Sequence, residues 1–208
     1  MKKKDFIIEL IKIFDKEYPD AECSLNYSNP LELLIATQLS AQCKDERVNI
    51  VTEDLFQKYK TCDDYANADI KDVEKIIKSL GLYKNKSKNV IACCNKIKDN
   101  FGGEVPDTME ELLTLDGVGR KTANLVLGDA FGKPGVVVDT HATRLSNRMK
   151  LVNTKDPYKI EMELKKIIPE EKQSRLCHQF VLHGRKYCDA RKPDCENCPV
   201  KKICPQNI

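Results

Sequence analysis

The chain has no long apolar run and no convincing export signal. None of its segments approaches the roughly 20 consecutive apolar residues that a membrane-spanning helix needs. We therefore expect that the protein is not an integral membrane protein. The start, Met1–Lys4 followed by Phe6–Ile8, superficially resembles a secretory signal, but Glu9 and Lys12 interrupt the apolar stretch too early. We therefore expect a soluble protein of the cytoplasm.

The sequence has almost no strand signals. Val136–Val138 is the only β-branched run, and it is too short and isolated to build a sheet. Helix signals are frequent instead: Asn29–Glu32 supplies a cap, a first-turn proline and a reciprocal acidic partner ahead of the apolar run Leu33–Leu39, and Asp156–Pro157 supplies a similar start. With no tandem repeat, low-complexity tract or long linker, the sequence predicts an all-α protein of about ten helices.

The first helix is predicted to be amphipathic. Apolar residues recur there at helical spacing: Phe6, Ile7, Leu10, Ile11 and Phe14. We expect this helix to pack on the rest of the protein.

The chain also lacks a strong excess of one charge. Its 35 basic and 32 acidic residues leave a net charge of +3, so a nucleic-acid-binding surface would have to come from local arrangement rather than from a globally basic chain. Ten cysteines are present, but a reducing compartment makes disulfides unexpected. Six are interpreted as core or surface thiols: Cys23, Cys43, Cys62, Cys93, Cys94 and Cys177.

A glycine-rich turn lies between two predicted helices, 109–115 and 121–130. Gly117 and Gly119 permit a sharp turn and let a large anion approach the exposed amides. The second helix points its positive N-terminal end at that anion. This pattern indicates a sequence-independent grip on a phosphate backbone through Gly117, Val118, Gly119 and Arg120. An ordinary helix–turn–helix connection remains the alternative.

Lys121 lies in the first turn of that second helix. The positive field there disfavours its ammonium form, so its amine is more available as a nucleophile than that of a solvated lysine. Schiff-base chemistry requires this state. Spacing alone fits a lysine that contacts phosphate equally well, as the neighbouring Arg120 could do.

Asp139 opens another predicted helix. N-capping is a sufficient structural reason for an aspartate here. A carboxylate near Lys121 could also shuttle protons and stabilise positive charge on a sugar. His141 is interpreted as a structural hydrogen-bonding residue.

Four cysteines lie within the last 21 residues: Cys188, Cys195, Cys198 and Cys204. Four thiolates can ligate either Zn²⁺ or a [4Fe–4S] cluster. The usual zinc pattern has two close pairs, whereas only one close pair is present, which argues modestly for iron and sulfur.

These motifs together resemble those of the endonuclease III family. Leu-x-Gly-Val-Gly-Arg-Lys-Thr-Ala, residues 115–123, closely resembles the helix-hairpin-helix motif of that family, and Val138–His141 is similar to its aspartate segment. The 6-2-5 spacing of the four cysteines also resembles that of the family. The motifs occur in the same order, and the resemblance covers essentially the whole chain.

The resemblance implies a bifunctional DNA glycosylase and AP lyase of base excision repair. Such an enzyme excises oxidised pyrimidines from duplex DNA, which it would bind as a monomer, in the nucleoid if the source is bacterial. By resemblance, Lys121 attacks the sugar C1′ and assists β-elimination, Asp139 is its catalytic partner, and the four cysteines hold a [4Fe–4S] cluster.

The resemblance also implies the fold and the DNA contacts. It predicts two helical lobes: a six-helix barrel over 23–133 that contains the hairpin, and a discontinuous domain of 1–22 with 134–208 that contains the cluster loop. Gln42 would fill the gap left by a flipped nucleotide, and Leu82 would press on the opposite strand. Without the resemblance, Gln42 is a helix-end polar residue and Leu82 a buried loop residue. Arg191 and Lys192 would contact phosphates, with a solvated charge pair as the alternative.

Two departures and two rival functions accompany the resemblance. Lys44 replaces a commoner threonine, and Thr37–Gln38 interrupts a usually more apolar helix. One rival is a monofunctional adenine-mismatch glycosylase, which normally lacks the lysine and has a further C-terminal domain, whereas this chain stops four residues after Cys204. The other is a non-catalytic helix-hairpin-helix protein with structural zinc.

Overall fold

Residues 2–206 are described by a computed structural model, in which all regular structure is helical. The first residue and the last two, which the expected domains include, lie outside this range. The α-helices are α1 Lys3–Glu17, α2 Pro30–Leu39, α3 Asp45–Lys58, α4 Cys62–Ala66, α5 Ile70–Ile77, α6 Tyr83–Phe101, α7 Met109–Leu112, α8 Arg120–Leu125, α9 Thr140–Arg148, α10 Pro157–Ile167 and α11 Gln173–Lys186. The all-α prediction is confirmed for this part of the chain.

Three short segments have other helical geometries. Lys78–Leu80 and Glu170–Lys172 are 3₁₀ turns, and Val126–Ala130 is a π-helical turn that continues α8. None of the helices in residues 2–206 is long and apolar enough to cross a membrane.

The chain divides into two compact units. One runs from Cys23 to Gly132, and the other combines the N-terminal segment up to Glu22 with the chain from Lys133 onward. Each unit has its own apolar interior.

Helix α2 is the central helix of the unit 23–132. Every residue from Leu33 to Leu39 is buried, and five of these seven residues are apolar, as expected for a helix that is buried on all sides. Leu33, Leu34 and Ile35 are fully enclosed, and burying such a side chain contributes roughly 1.5–3 kcal/mol. Thr37 donates to the Leu33 carbonyl at 2.7 Å, so its hydroxyl is accommodated within this apolar setting.

The second unit is built around α1 and α11. The five apolar residues predicted to form one face of α1 are all buried: Phe6, Ile7, Leu10, Ile11 and Phe14. The Phe14 ring meets Phe180 of α11 edge-to-face, with ring centroids 6.2 Å apart, a favoured aromatic geometry. The amphipathic prediction for α1 is therefore confirmed.

The predicted helix starts at Asn29 and Asp156 are present, with one difference in detail. Asn29 accepts from the Glu32 amide at 3.0 Å, but the Glu32 carboxylate accepts from the Ser28 amide rather than from the cap residue itself. At the start of α7 the cap is Thr108, which accepts from the Glu111 amide. In each case the side chain satisfies an amide that has no partner within the helix.

Helix α7 ends earlier than the sequence predicts. It stops at Leu112 rather than at residue 115. The amide of Thr114 donates to the Glu111 carbonyl and that of Leu115 to the Leu112 carbonyl. These bonds span three residues instead of four, so the chain tightens into successive turns before it reaches the glycines.

Candidate functional site

The turn at Gly117 depends on the absence of a side chain. Gly117 has φ +73°, in the left-handed region, and a Cβ there would lie 3.0 Å from Asn89 Cβ and 3.2 Å from Gln38 Oε1. Gly119 is extended instead and serves as the N-cap of α8, with its carbonyl accepting from the Ala123 amide at 2.9 Å. Of the two predicted turn glycines, therefore, only Gly117 is required by backbone conformation.

The side chain of Val118, between them, packs inward. It is 8% exposed and belongs to the apolar interior of the unit 23–132. Its amide donates to the Leu115 carbonyl at 3.3 Å. Any DNA contact at this position would therefore have to come from the main chain.

Lys121 is exposed and is the second residue of α8. Arg120, half-buried, precedes it, and the Arg120 carbonyl accepts from the Asn124 side chain at 3.0 Å. The predicted first-turn position of Lys121 is confirmed, so this residue lies at the positive end of a helix.

Gln42 and Leu82 have an unusual backbone conformation. Both have positive φ, +57° and +48° respectively, a region that residues other than glycine rarely adopt. Leu82 is 55% exposed, so its interpretation as a buried loop residue is wrong. Gln42 is exposed as well.

Asp139 has its predicted capping role in the other unit. Its Oδ1 accepts from the Ala142 amide at 2.7 Å, and the side chain is half-buried at the start of α9. The hydrogen bond fixes the orientation of the carboxylate. Lys121 and Asp139 belong to different units.

The imidazole of His141 packs closely against Gly184 of α11. Its Nδ1 lies 3.0 Å from Arg144 Nη2, and since a guanidinium only donates, Nδ1 accepts. Burial lowers the pKa of the imidazole, which favours this neutral form. A Cβ on Gly184 would lie only 2.3 Å from Nδ1, so the ring occupies the space that this glycine leaves.

The four C-terminal cysteines line a single cavity. Cys188, Cys195, Cys198 and Cys204 are all half-buried, and Arg148, His183 and Tyr187 complete much of its wall. The imidazole Nε2 of His183 lies 3.5 Å from Cys198 Sγ. In residues 2–206 no group of three or more His, Cys, Asp or Glu side chains is arranged to hold a metal ion.

Two arginines of α9 hold the start of the cysteine loop. Arg144 Nε donates to the Cys188 carbonyl at 3.0 Å. Arg148 donates to the Asp189 carbonyl at 2.6 Å and the Ala190 carbonyl at 3.0 Å, and its Nη1 lies 3.3 Å from Cys188 Sγ. Sequence reasoning missed this clamp, although the four-residue spacing of the arginines places them on one face of a helix.

Arg191 and Lys192 lie on the outer side of the same loop. Both are exposed, and their amides donate to Asp189 Oδ1 at 2.8 and 3.0 Å. The hydrogen bonds from the Lys192 and Arg191 amides lower the pKa of Asp189. The turn therefore presents two cations from a backbone that is held on its inner side by Arg148.

The other six cysteines are free thiols, as predicted. Cys62, Cys93, Cys94 and Cys177 are buried, and Cys23 and Cys43 half-buried. Burial raises the pKa of the Cys93 and Cys23 thiols to about 12, which keeps them protonated at neutral pH.

Comparisons with known proteins agree with this architecture. Residues 35–170 match the family described as "HhH-GPD superfamily base excision DNA repair protein". The chain is 50% identical to endonuclease III of Synechocystis sp. over 204 residues, which cover 98% of this chain and 93% of the relative.

Two solved structures are similar over nearly the whole chain. One is a non-covalent complex of endonuclease III with DNA, and the other a trapped covalent intermediate of endonuclease III with DNA. Each is 43% identical, has a TM-score of 0.91, and aligns 99% of this chain with 97% of the other.

Proposed function

Because this chain belongs to the endonuclease III family of base excision repair proteins, we propose that it is a bifunctional DNA glycosylase and AP lyase that excises oxidised pyrimidines. The observation that carries this proposal is the exposed Lys121 in the first turn of α8, directly after the Gly117 turn. The protein would act in the cytoplasm, at the nucleoid of a bacterial cell.

Lys121 supplies the nucleophile in this proposal. Its neutral amine attacks C1′ of the flipped nucleotide, the bond from C1′ to the base breaks, and the base leaves with the bonding electron pair and takes up a proton. Loss of the amine proton and opening of the sugar give a Schiff base between Lys121 and C1′. Removal of a C2′ proton then expels the 3′ phosphate by β-elimination.

Asp139 is the proposed proton carrier. Its cap bond to the Ala142 amide orients the carboxylate without using the second oxygen in that bond. An oriented carboxylate stabilises positive charge on the sugar and accepts the protons that the amine releases. The aspartate thus combines a structural and a catalytic role.

The DNA contacts in this proposal come from both units. The turn at Gly117, Val118, Gly119 and Arg120 grips the backbone through main-chain amides other than that of Val118, which donates to Leu115, helped by the positive end of α8. Arg191 and Lys192 contact phosphates from the cysteine loop. Gln42 and Leu82 fill the space that the flipped nucleotide leaves.

The proposed occupant of the cysteine cavity is a [4Fe–4S] cluster. Four cysteines line one cavity, and four thiolates are the donor set that such a cluster takes. Cys188, Cys195, Cys198 and Cys204 would hold it. A cluster bound there would link the two ends of the loop, so that Arg191 and Lys192 would lose less conformational freedom on binding phosphate.

The test compares the wild type with Lys121→Gln. Incubation with a duplex that contains an oxidised pyrimidine, followed by borohydride, is expected to trap a covalent adduct only with the wild type. Lys121→Gln loses trapping and strand cleavage but binds an abasic-analogue duplex with an affinity close to that of the wild type, because only the nucleophile is removed.

Lys71→Gln is the matched control, since Lys71 is an exposed lysine of the same unit. It is expected to trap as the wild type does. Full cleavage by Lys121→Gln, or no adduct with the wild type on any oxidised pyrimidine, would refute the proposal.

A further inference from the structure

Lys86, in the first turn of α6, is a buried lysine. It is only 5% exposed, and its Nζ donates to the Leu80 carbonyl at 2.9 Å. Placing an ammonium in such surroundings costs several kcal/mol unless it is well paired. Here the hydrogen bond goes to a backbone carbonyl rather than to a carboxylate, so stability alone does not explain the lysine.

The bond from Lys86 spans a strained turn. Gly81 and Leu82 both have positive φ, +66° and +48°, and for Leu82 this conformation costs roughly 1–2 kcal/mol. The amide of Lys86 donates to the Leu82 carbonyl at 3.0 Å, while its side chain holds the Leu80 carbonyl. Lys86 therefore holds the turn on both sides of Gly81.

The same side chain also interacts electrostatically with Cys43. Burial lowers the pKa of the Lys86 ammonium, and the Cys43 side chain acts in the opposite direction. Cys43 directly follows Gln42, whose φ is +57°. The hydrogen bonds of Lys86 go to the Leu80–Leu82 turn.

Strain at these two positions is unusual within the protein. Residues 2–206 contain four non-glycine residues with positive φ: Gln42, Leu82, Lys150 and Gln206. Both Gln42 and Leu82 are exposed. Strained backbone persists where the surroundings hold it in place, and such residues cluster at functional positions.

We infer that Lys86 is a positioning residue that holds the Leu80–Leu82 turn in the conformation in which Leu82 enters a duplex. This inference rests on the proposed function, because it assigns to Lys86 the support of a residue that fills the space left by a flipped nucleotide. Lys86 acts through this turn and is assigned no contact with the reacting atoms.

The decisive quantity is the selectivity for a damaged duplex. The dissociation constants of a duplex with a tetrahydrofuran abasic analogue and of the intact duplex are measured for the wild type and Lys86→Met. Lys86→Met is expected to lose about tenfold of the preference for the abasic analogue, while the affinity for intact DNA stays within about twofold. A 2-aminopurine opposite the analogue should show correspondingly less fluorescence increase on binding.

Three further variants sharpen the result. Lys86→Arg keeps a charged donor and is expected to retain most of the preference. In a Leu82→Ala background, Lys86→Met should cause little additional loss of the preference, because the effects of two substitutions that act through one loop are not additive. Lys71→Met, an exposed lysine of the same unit, should leave both affinities unchanged.

The outcomes separate this inference from the proposed function. An unchanged preference in Lys86→Met, or a parallel fall of both affinities, would overturn the role of Lys86. If the circular dichroism spectrum of Lys86→Met shows less helix than that of the wild type, the same two dissociation constants are measured for Lys86→Gln, and the same outcomes decide. Both duplexes stay uncut in these measurements, so a wild type that fails to trap would refute the proposed chemistry alone.

Discussion

Gly184 and His141 show how one missing side chain fixes another residue. Gly184 lies inside α11, where replacing glycine by alanine normally stabilises a helix by up to about 1 kcal/mol. Here the added Cβ would lie 2.3 Å from His141 Nδ1 and 2.8 Å from Arg144 Nη2. Because of this steric conflict, we expect the substitution of Gly184 by alanine to destabilise the protein instead.

We expect Gly184→Ala to lower the free energy of unfolding by about 1–3 kcal/mol, measured by urea denaturation. Gly119→Ala is the control, because it adds the same carbon atom at a glycine where nothing lies within 4 Å of it. An increase in stability for Gly184→Ala would show that the imidazole moves aside freely.

At this scale the sequence predicted some residue roles better than others. The cap at Asp139 follows from local chemistry, since an aspartate directly before a helix can accept a hydrogen bond from an unpaired amide of the first turn, here that of Ala142. The exposure of Leu82 could not be predicted from its own apolar side chain, because it depends on a left-handed backbone conformation that the surrounding turn imposes.

Helix α9 and the cysteine loop form one structural element in the unit that contains them. Arg148 joins the helix to the Asp189 and Ala190 carbonyls, and the same turn presents Arg191 and Lys192. Removing the guanidinium leaves these carbonyls without their donors and gives the loop more freedom. Binding DNA would then cost more conformational entropy.

Arg148→Leu is therefore expected to weaken the binding of intact duplex DNA by about 3- to 10-fold, measured by fluorescence anisotropy at fixed salt. Lys166→Leu, an exposed cation of α10, removes the same charge without touching the loop and should change the affinity little. Equal losses in the two variants would mean that the net charge of the unit, and not the order of the loop, sets the affinity.

Sequence reasoning located the elements but not their junctions. Capping residues and apolar spacing are local, so the starts of α2, α9 and α10 could be predicted. The clamp from Arg144 and Arg148 joins residues about 40 positions apart. No local pattern specifies such a contact, because it depends on how α9 and α11 pack.

For the whole molecule, the first and last parts of the chain must come together to form one unit. Asp15 of α1 accepts from Lys172 at 2.8 Å and from Gln179 at 2.9 Å. Burial opposes the ionisation of Asp15, but the hydrogen bonds from Lys172 and Gln179 outweigh it and lower its pKa. A lowered pKa in the folded state stabilises the protein above the pKa of the unfolded chain, and this stabilisation is lost as the pH falls.

We therefore expect Asp15→Asn to lower Tm at neutral pH, and the difference from the wild type to shrink as the pH falls below the ordinary value of 3.8. Scanning calorimetry between neutral and acidic pH measures this difference. Asp20→Asn, an exposed aspartate nearby, should show no such trend. A Tm difference that widens as the pH falls would contradict the lowered pKa of Asp15.

The order of motifs along the chain predicted the family, which the comparisons confirm. That order could be recognised because each motif occupies a short segment: the glycine turn, the aspartate segment and the cysteines. The burial of Lys86 and its hydrogen bond to the Leu80 carbonyl could not be predicted, since a lysine in the first turn of a helix is normally solvated and its burial depends on the surrounding packing.

The central claim is that one amine, that of Lys121, forms the covalent bond to DNA. The most direct measurement is mass spectrometry of the borohydride-trapped adduct after digestion of protein and DNA. We predict that the nucleotide remnant is found on the peptide that contains Lys121 and on that residue. A remnant on another lysine, such as Lys86 or Lys133, would contradict the account.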